Sequence, residues 1–157
     1  MQKFGWILGL ATVTAGIGLM VAPVNSQASD YTRTMPKSLR GTWYFYNNAT
    51  LSGDGHHYRL VIKPRSVRKY MKKSHQWHLV TKLTGKKLRA YKSTMSLKNN
   101  RSVRAYRIVL GQFTDAPDIR ASQRTIKHKS HKVLIETAQM GPNLVWTKFQ
   151  PKRGYYY

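Results

Sequence analysis

Residues 39–46, Leu-Arg-Gly-Thr-Trp-Tyr-Phe-Tyr, alternate strictly between two sets of positions. Leu39, Gly41, Trp43 and Phe45 fall on one side, and Arg40, Thr42, Tyr44 and Tyr46 on the other. A period of two belongs to a β-strand with one face in a core, and aromatic and β-branched residues suit it. Trp43 is the largest apolar anchor of the stretch, and Gly41 leaves room for another segment to come close. This stretch is expected to be the founding strand of an all-β fold.

The same pattern returns along the chain. Strands are expected over 58–62, 66–71, 77–83, 87–92, 103–110, 132–137 and 144–149, with Trp77, Leu79 and Leu83 pointing inward. The Thr84-Gly85-Lys86 turn is expected to join 77–83 and 87–92 as a hairpin. Residues 114–122 contain Asp-Ala-Pro-Asp and are expected to hold a turn and then a short helix. Short strands with a turn signal every ten or so residues belong to all-β sandwiches and barrels. The expectation is one small antiparallel β-barrel of about seven or eight strands over residues 38–150. Residues 29–37 read as a flexible lead-in, and 151–157 as a basic and aromatic tail with a frayed end.

Lys3 is followed by an uncharged, apolar stretch over 4–24, and Ser26 and Ala28 supply small residues. This is the pattern of a signal peptide over 1–28, cleaved after Ala28. An uncleaved membrane anchor is the competing reading, and Gly5, Gly9, Gly16 and Gly18 weaken it. The expected location is outside the cell, with the protein held at the wall by charge. The absence of cysteine excludes disulfide stapling and a lipid-modified cysteine.

Charge dominates the chemistry. The 157 residues carry 28 Lys and Arg against 5 Asp and Glu, a formal net charge of +23. Such an excess repels itself and attracts polyanions. Four basic clusters interleaved with aromatics are the candidate binding residues. They are Lys63, Arg65, Arg68, Lys69, Lys72 and Lys73; Lys82, Lys86, Lys87, Arg89 and Lys92; Arg101, Arg104 and Arg107; and Lys127, Lys129 and Lys132. Lys and Arg bind phosphate oxygens, and aromatic faces stack on sugars or bases. The bland reading is that these are solvated strand faces that also blunt sheet edges. The expected partner is an anionic wall polymer of the teichoic-acid kind; extracellular nucleic acid bound by a small OB-like barrel is the third reading, after the carrier described below.

No reaction is indicated. A glycosidase needs two carboxylates at a set separation, and the five acids are dispersed or sit in turns. There is no Cys, no G-x-S-x-G elbow and no phosphate-binding Gly loop. The histidines come in pairs, His56-His57, His75-x-x-His78 and His128-x-x-His131, but among Lys and Arg that repel a dication. Neither a metal nor another cofactor is expected. Polar histidines would add positive charge on acidification and tighten polyanion binding.

Gly41-Thr42-Trp43 near the expected mature N-terminus resembles the G-x-W signature of lipocalin-type barrels. Thr114-Asp115-Ala116 keeps two residues of their later Thr-Asp-Tyr turn. The resemblance implies an up-and-down barrel closed at one end by Trp43, with Lys148, Lys152 or Arg153 packed on it. It also implies the alternative of a carrier for a small apolar ligand, with Gly41, Trp43, Trp77, Tyr106 and Trp146 flooring or lining the cavity. Residues 36–44, Pro-Lys-Ser-Leu-Arg-Gly-Thr-Trp-Tyr, and the Lys- and Tyr-rich strands are similar to those of small exported proteins of lactic-acid bacteria. That likeness implies export and a barrel, and no particular activity.

Overall fold

The structure is a computed structural model that describes residues 31–48, 54–96, 101–109, 116–138 and 141–157. The expected signal peptide and Thr114-Asp115 lie outside the described residues. Ten strands form one antiparallel sheet: β1 (Tyr31–Thr32), β2 (Gly41–Tyr46), β3 (His57–Lys63), β4 (Ser66–Lys73), β5 (Gln76–Thr84), β6 (Ala90–Ser96), β7 (Ser102–Ile108), β8 (Asp118–Ile126), β9 (Lys129–Glu136) and β10 (Leu144–Thr147). Their order is β1-β6-β7-β8-β9-β10-β2-β3-β4-β5. Two single 3-10 turns, Lys37–Leu39 and Gly85–Lys87, complete the regular structure of the described residues.

The sheet is not closed, which corrects the expected hairpin at Thr84–Lys86. β5 and β6 follow each other in the chain yet stand far apart in the strand order, with β5 on the outer edge. Gly85 adopts φ +55 and begins a 3-10 turn rather than a two-residue hairpin loop. Leu83 before the turn and Leu88 after it both enter the core, so the chain folds inward instead of back along β5. β5 then pairs only with β4, while β6 pairs with β7 and β1.

Although unclosed, the sheet curls. Thr32 pairs with Ala90 on β6, and the Met35 amide donates to the Pro64 carbonyl in the β3–β4 turn at 2.8 Å. Three residues reach at most about 11 Å. The two ends of the strand order are therefore neighbours at this end of the molecule. The stretch expected as a loose lead-in carries structure where it is described: Met35 and Leu39 are fully buried, and the Trp43 indole N–H donates to the Leu39 carbonyl at 2.8 Å.

One core lies on the concave face, where Leu39, Trp43, Phe45, Leu60, Ile62, Val67, Leu83, Leu88, Ala90, Ile108, Ile119, Leu134 and Trp146 pack together. The alternation read in residues 39–46 is realised, with Leu39, Trp43 and Phe45 buried. A smaller core lies on the convex face of β6–β10, formed by Met95, Ala105, Ile126, Val133, Ile135 and Val145.

Tyr155 and Tyr157 pack over that second core. The Val145 amide donates to the Tyr155 carbonyl, and Asn143 and Tyr157 exchange both backbone hydrogen bonds. The tail expected as a frayed end is thus paired alongside β10. The short helix expected within 114–122 is replaced by β8, whose hairpin with β9 turns at Lys127-His128, both at positive φ.

Candidate functional site

The start of β2, at Gly41 and Trp43, holds the first arrangement. Gly41 has φ +127, and a Cβ there would collide with the Lys148 ammonium. Lys148 lies across the Trp43 ring, its nitrogen 3.4 Å from the ring centre. Of Lys148, Lys152 and Arg153, it is Lys148 that lies on the Trp43 ring. Burial, and next the charge of Lys132, lower its pKa from the ordinary lysine value.

The concave face continues above Trp43 through Phe45 and Trp146, whose rings lie 5.6 Å apart. The Trp146 indole donates to Glu136 Oε2 at 2.6 Å. Glu136 is buried, and that burial raises its pKa, against the pull of Lys69 and of the indole. The Lys69 ammonium stands 5.0 Å from the Tyr58 ring centre and 5.8 Å from that of Trp146. The Tyr58 hydroxyl donates to Asp54; burial first and this bond second push its pKa up to about 12.

Trp77 is not part of this interior. The β4–β5 register passes from Lys69 opposite Thr81 to Tyr70 opposite Leu79, leaving Val80 as a bulge. A bulge inverts the side-chain alternation on either side of it. Leu83 therefore points into the core, whereas Trp77 and Leu79 point out, and Leu79 is 53% exposed. The expected cavity set is split: Gly41, Trp43, Tyr106 and Trp146 lie on the concave side, and Trp77 lies on the other.

On the convex face of β2–β5 the side chains form a ladder. The Arg59 guanidinium lies 4.5 Å from the Tyr70 ring centre and 4.7 Å from that of Trp77. Trp77 in turn meets Tyr44 at 6.1 Å, and Tyr46 meets His57 at 4.7 Å. Burial, and then Lys72, lower the pKa of His57, so it takes up a proton only below the ordinary imidazole range. Next to the ladder, Arg68 and Lys82 stand directly opposite each other across β4 and β5. The Nε of Arg59 and of Arg68 are buried without a hydrogen-bond acceptor in the protein.

Strand alternation redistributes the four basic clusters. Arg68, Lys72, Lys82, Arg107 and Lys129 fall on the convex face, and Lys69, Lys73, Lys92, Arg104 and Lys132 on the concave one. Lys63 ends β3, while Arg65, Lys86, Lys87, Arg89, Arg101 and Lys127 sit in connections. Arg107 is held by Asp118 in an ion pair at 3.1 Å. Arg59, outside every sequence cluster, is at the centre of the ladder; its alternation with Tyr58 and Leu60 was the available signal.

Among the described residues no group of three or more His, Cys, Asp or Glu could hold a metal ion. His75 and His128 occupy positive-φ turn positions, and His131 packs edge-on against Phe149 at 5.1 Å. Among the described residues no helix is long and apolar enough to cross a membrane. The molecule is thus an all-β protein whose single curled sheet shows cations on both faces. No protein-family model, curated protein or solved structure matches the chain.

Proposed function

We propose that this is a secreted, non-enzymatic, polyanion-binding protein. Its curled sheet acts as a barrel left open between β5 and β1, and it is held at the cell envelope by anionic wall polymer. The observation that carries this reading is Arg68 opposite Lys82, beside the Tyr70–Arg59–Trp77 stack. Like charges directly opposite on a sheet are destabilising, and a chain with 5 acids has little with which to balance them. A bound polyanion supplies that balance. The aromatic rings beside it offer faces for sugar or base, and binding releases counter-ions.

Binding to wall polymer, duplex DNA and heparin at matched salt tests the proposal. Affinity that falls steeply with salt, and that Arg68→Gln with Lys82→Gln weakens, supports it. Indifference to all three at low ionic strength overturns it. Preference for duplex DNA would move the partner to nucleic acid.

A further inference from the structure

β5 is an outermost strand of the sheet, and among the described residues it pairs only with β4. An edge strand carries a row of unpaired backbone N–H and C=O groups, and proteins blunt such rows with short strands, proline, lysine or a bulge. The opposite edge, β1, is two residues long. β5 is nine residues long, without proline and with one lysine. Gln76 and His78 on its concave side and Leu79 and Lys82 on its convex side are all exposed, so a neighbour can approach this edge. The bulge at Val80 sets Leu79 and Val80 out side by side, 53% and 52% exposed. They are two of the three large hydrophobic residues exposed among the described residues.

We infer that β5 accepts an acidic, extended peptide of a partner protein as an added strand, with a carboxylate beside Lys82 and an apolar side chain against Leu79. Backbone hydrogen bonds along an exposed edge give such strand addition its affinity, and alternate side chains give its specificity. Charge selects the occupant. Lys82 stands opposite Arg68 and Lys72 opposite Trp77, so the convex side of β4 and β5 is cationic beside this edge. The acids of the described strands are Asp118 and Glu136, both buried and both far from β5 in the strand order. A second copy therefore has no described strand that presents a free carboxylate, and its own β5 would bring up a like-charged edge. An acidic strand instead places opposite charges in cross-strand positions, which stabilises the pair.

The occupant is a protein strand held through its backbone, so this inference stands apart from the polyanion reading, although both use Lys82. Calorimetric titration of the full chain with a synthetic peptide of about six alternating Glu and Val residues, an ordinary strand length, tests it. A twin with every backbone amide N-methylated keeps the charge and loses the N–H donors. The expected result is saturable binding at one site, about tenfold or more tighter for the peptide than for the twin, with slower amide hydrogen exchange in β5. Leu79→Thr and Lys82→Glu each weaken it about fivefold. Both altered side chains are exposed, and an unchanged far-UV circular-dichroism spectrum identifies folded variants. The inference is overturned by absence of saturable binding, by the twin binding equally well, by unchanged exchange in β5, or by both variants binding like the parent. Protection of β5 that rises with protein concentration in the absence of peptide gives the edge to a second copy and overturns it equally. Polyphosphate binding, which Arg68→Gln weakens and Leu79→Thr leaves unchanged, reads the polyanion surface separately, so either reading can fail while the other stands.

Discussion

The ammonium of Lys148 lies 3.4 Å from the centre of the Trp43 ring, and the missing side chain of Gly41 is what makes the space. The backbone of Gly41, at φ +127, is a conformation that other residues adopt only with strain. Gly41→Ala is expected to lose about 1–3 kcal/mol of stability. Lys148→Ala is expected to lose about 0.5–1 kcal/mol, the worth of one partly exposed cation–π contact. In a thermal-unfolding double-mutant cycle with Trp43→Leu, the Lys148 effect should vanish. Additive losses would place the lysine's contribution elsewhere.

The founding strand was legible because its alternation is unbroken over eight residues and one face of it enters the core. The pairing of a basic residue with Trp43 was legible to within three candidates. The β5 face was not, because a single unpaired residue, Val80, inverts the alternation that put Trp77 and Leu79 with Leu83. The β8–β9 hairpin was hidden for a different reason. Its turn is Lys127-His128, with none of the Gly, Asn or Asp that mark positive-φ turns, and Ser74-His75 between β4 and β5 is the same case. The open β5–β6 junction was hidden by the reverse error, since Gly85 is a good turn residue whose turn directs the chain inward.

Those turns make a prediction of their own. Lys127 and His128 stand at φ +49 and +63, and Ser74 and His75 at +44 and +66. Side chains beyond glycine are strained there. Replacing Lys127-His128 by Asn-Gly is expected to raise stability by about 1 kcal/mol, after allowance for the extra freedom of glycine in the unfolded chain. Denaturant midpoints check it, and a lower midpoint would contradict the turn geometry.

Glu136 sets a pH dependence. Burial raises its folded pKa above the unfolded value, so the folded state holds the proton more readily. Its contribution to stability is then fullest below the unfolded carboxylate range and is lost as pH rises through the folded pKa. Glu136→Gln keeps an acceptor for the Trp146 indole without the charge. The variant should match the parent near pH 4 and exceed it in stability at pH 7. An equal difference at both values would remove the carboxylate as the titrating group.

The C-terminal tail wedges against β2 as well as β10. Asn48 donates its amide to the Tyr156 hydroxyl, and the Tyr156 ring meets Phe45 edge-on at 5.9 Å. Gly154 passes so close to β2 that a Cβ would stand 2.7 Å from the Tyr46 carbonyl oxygen. That obstacle is backbone and cannot swing away. Gly154→Ala is expected to lose about 1–3 kcal/mol and to open the tail to carboxypeptidase. A tail that stays protected would mean that β2 yields instead.

Stability and binding should move in opposite directions at Arg68. The residue faces Lys82 directly, with Val61 on its other side, and its Nε has no acceptor in the protein. Removing the charge relieves a like-charge pair worth about 0.2–1 kcal/mol, so Arg68→Gln should raise the unfolding midpoint at low salt. The gain should shrink as salt screens the pair, over a Debye length near 10 Å at 0.1 M. The same change removes one cation from the proposed polyanion face. It should therefore reduce the slope of log affinity against log salt by about one unit. Arg107→Gln should do the opposite to stability, because Arg107 is paired with Asp118 and its loss leaves a carboxylate that is 12% exposed without its cation. If both substitutions destabilise alike, the cations of this sheet are structural, and the reading of the convex face as a polyanion surface loses its footing.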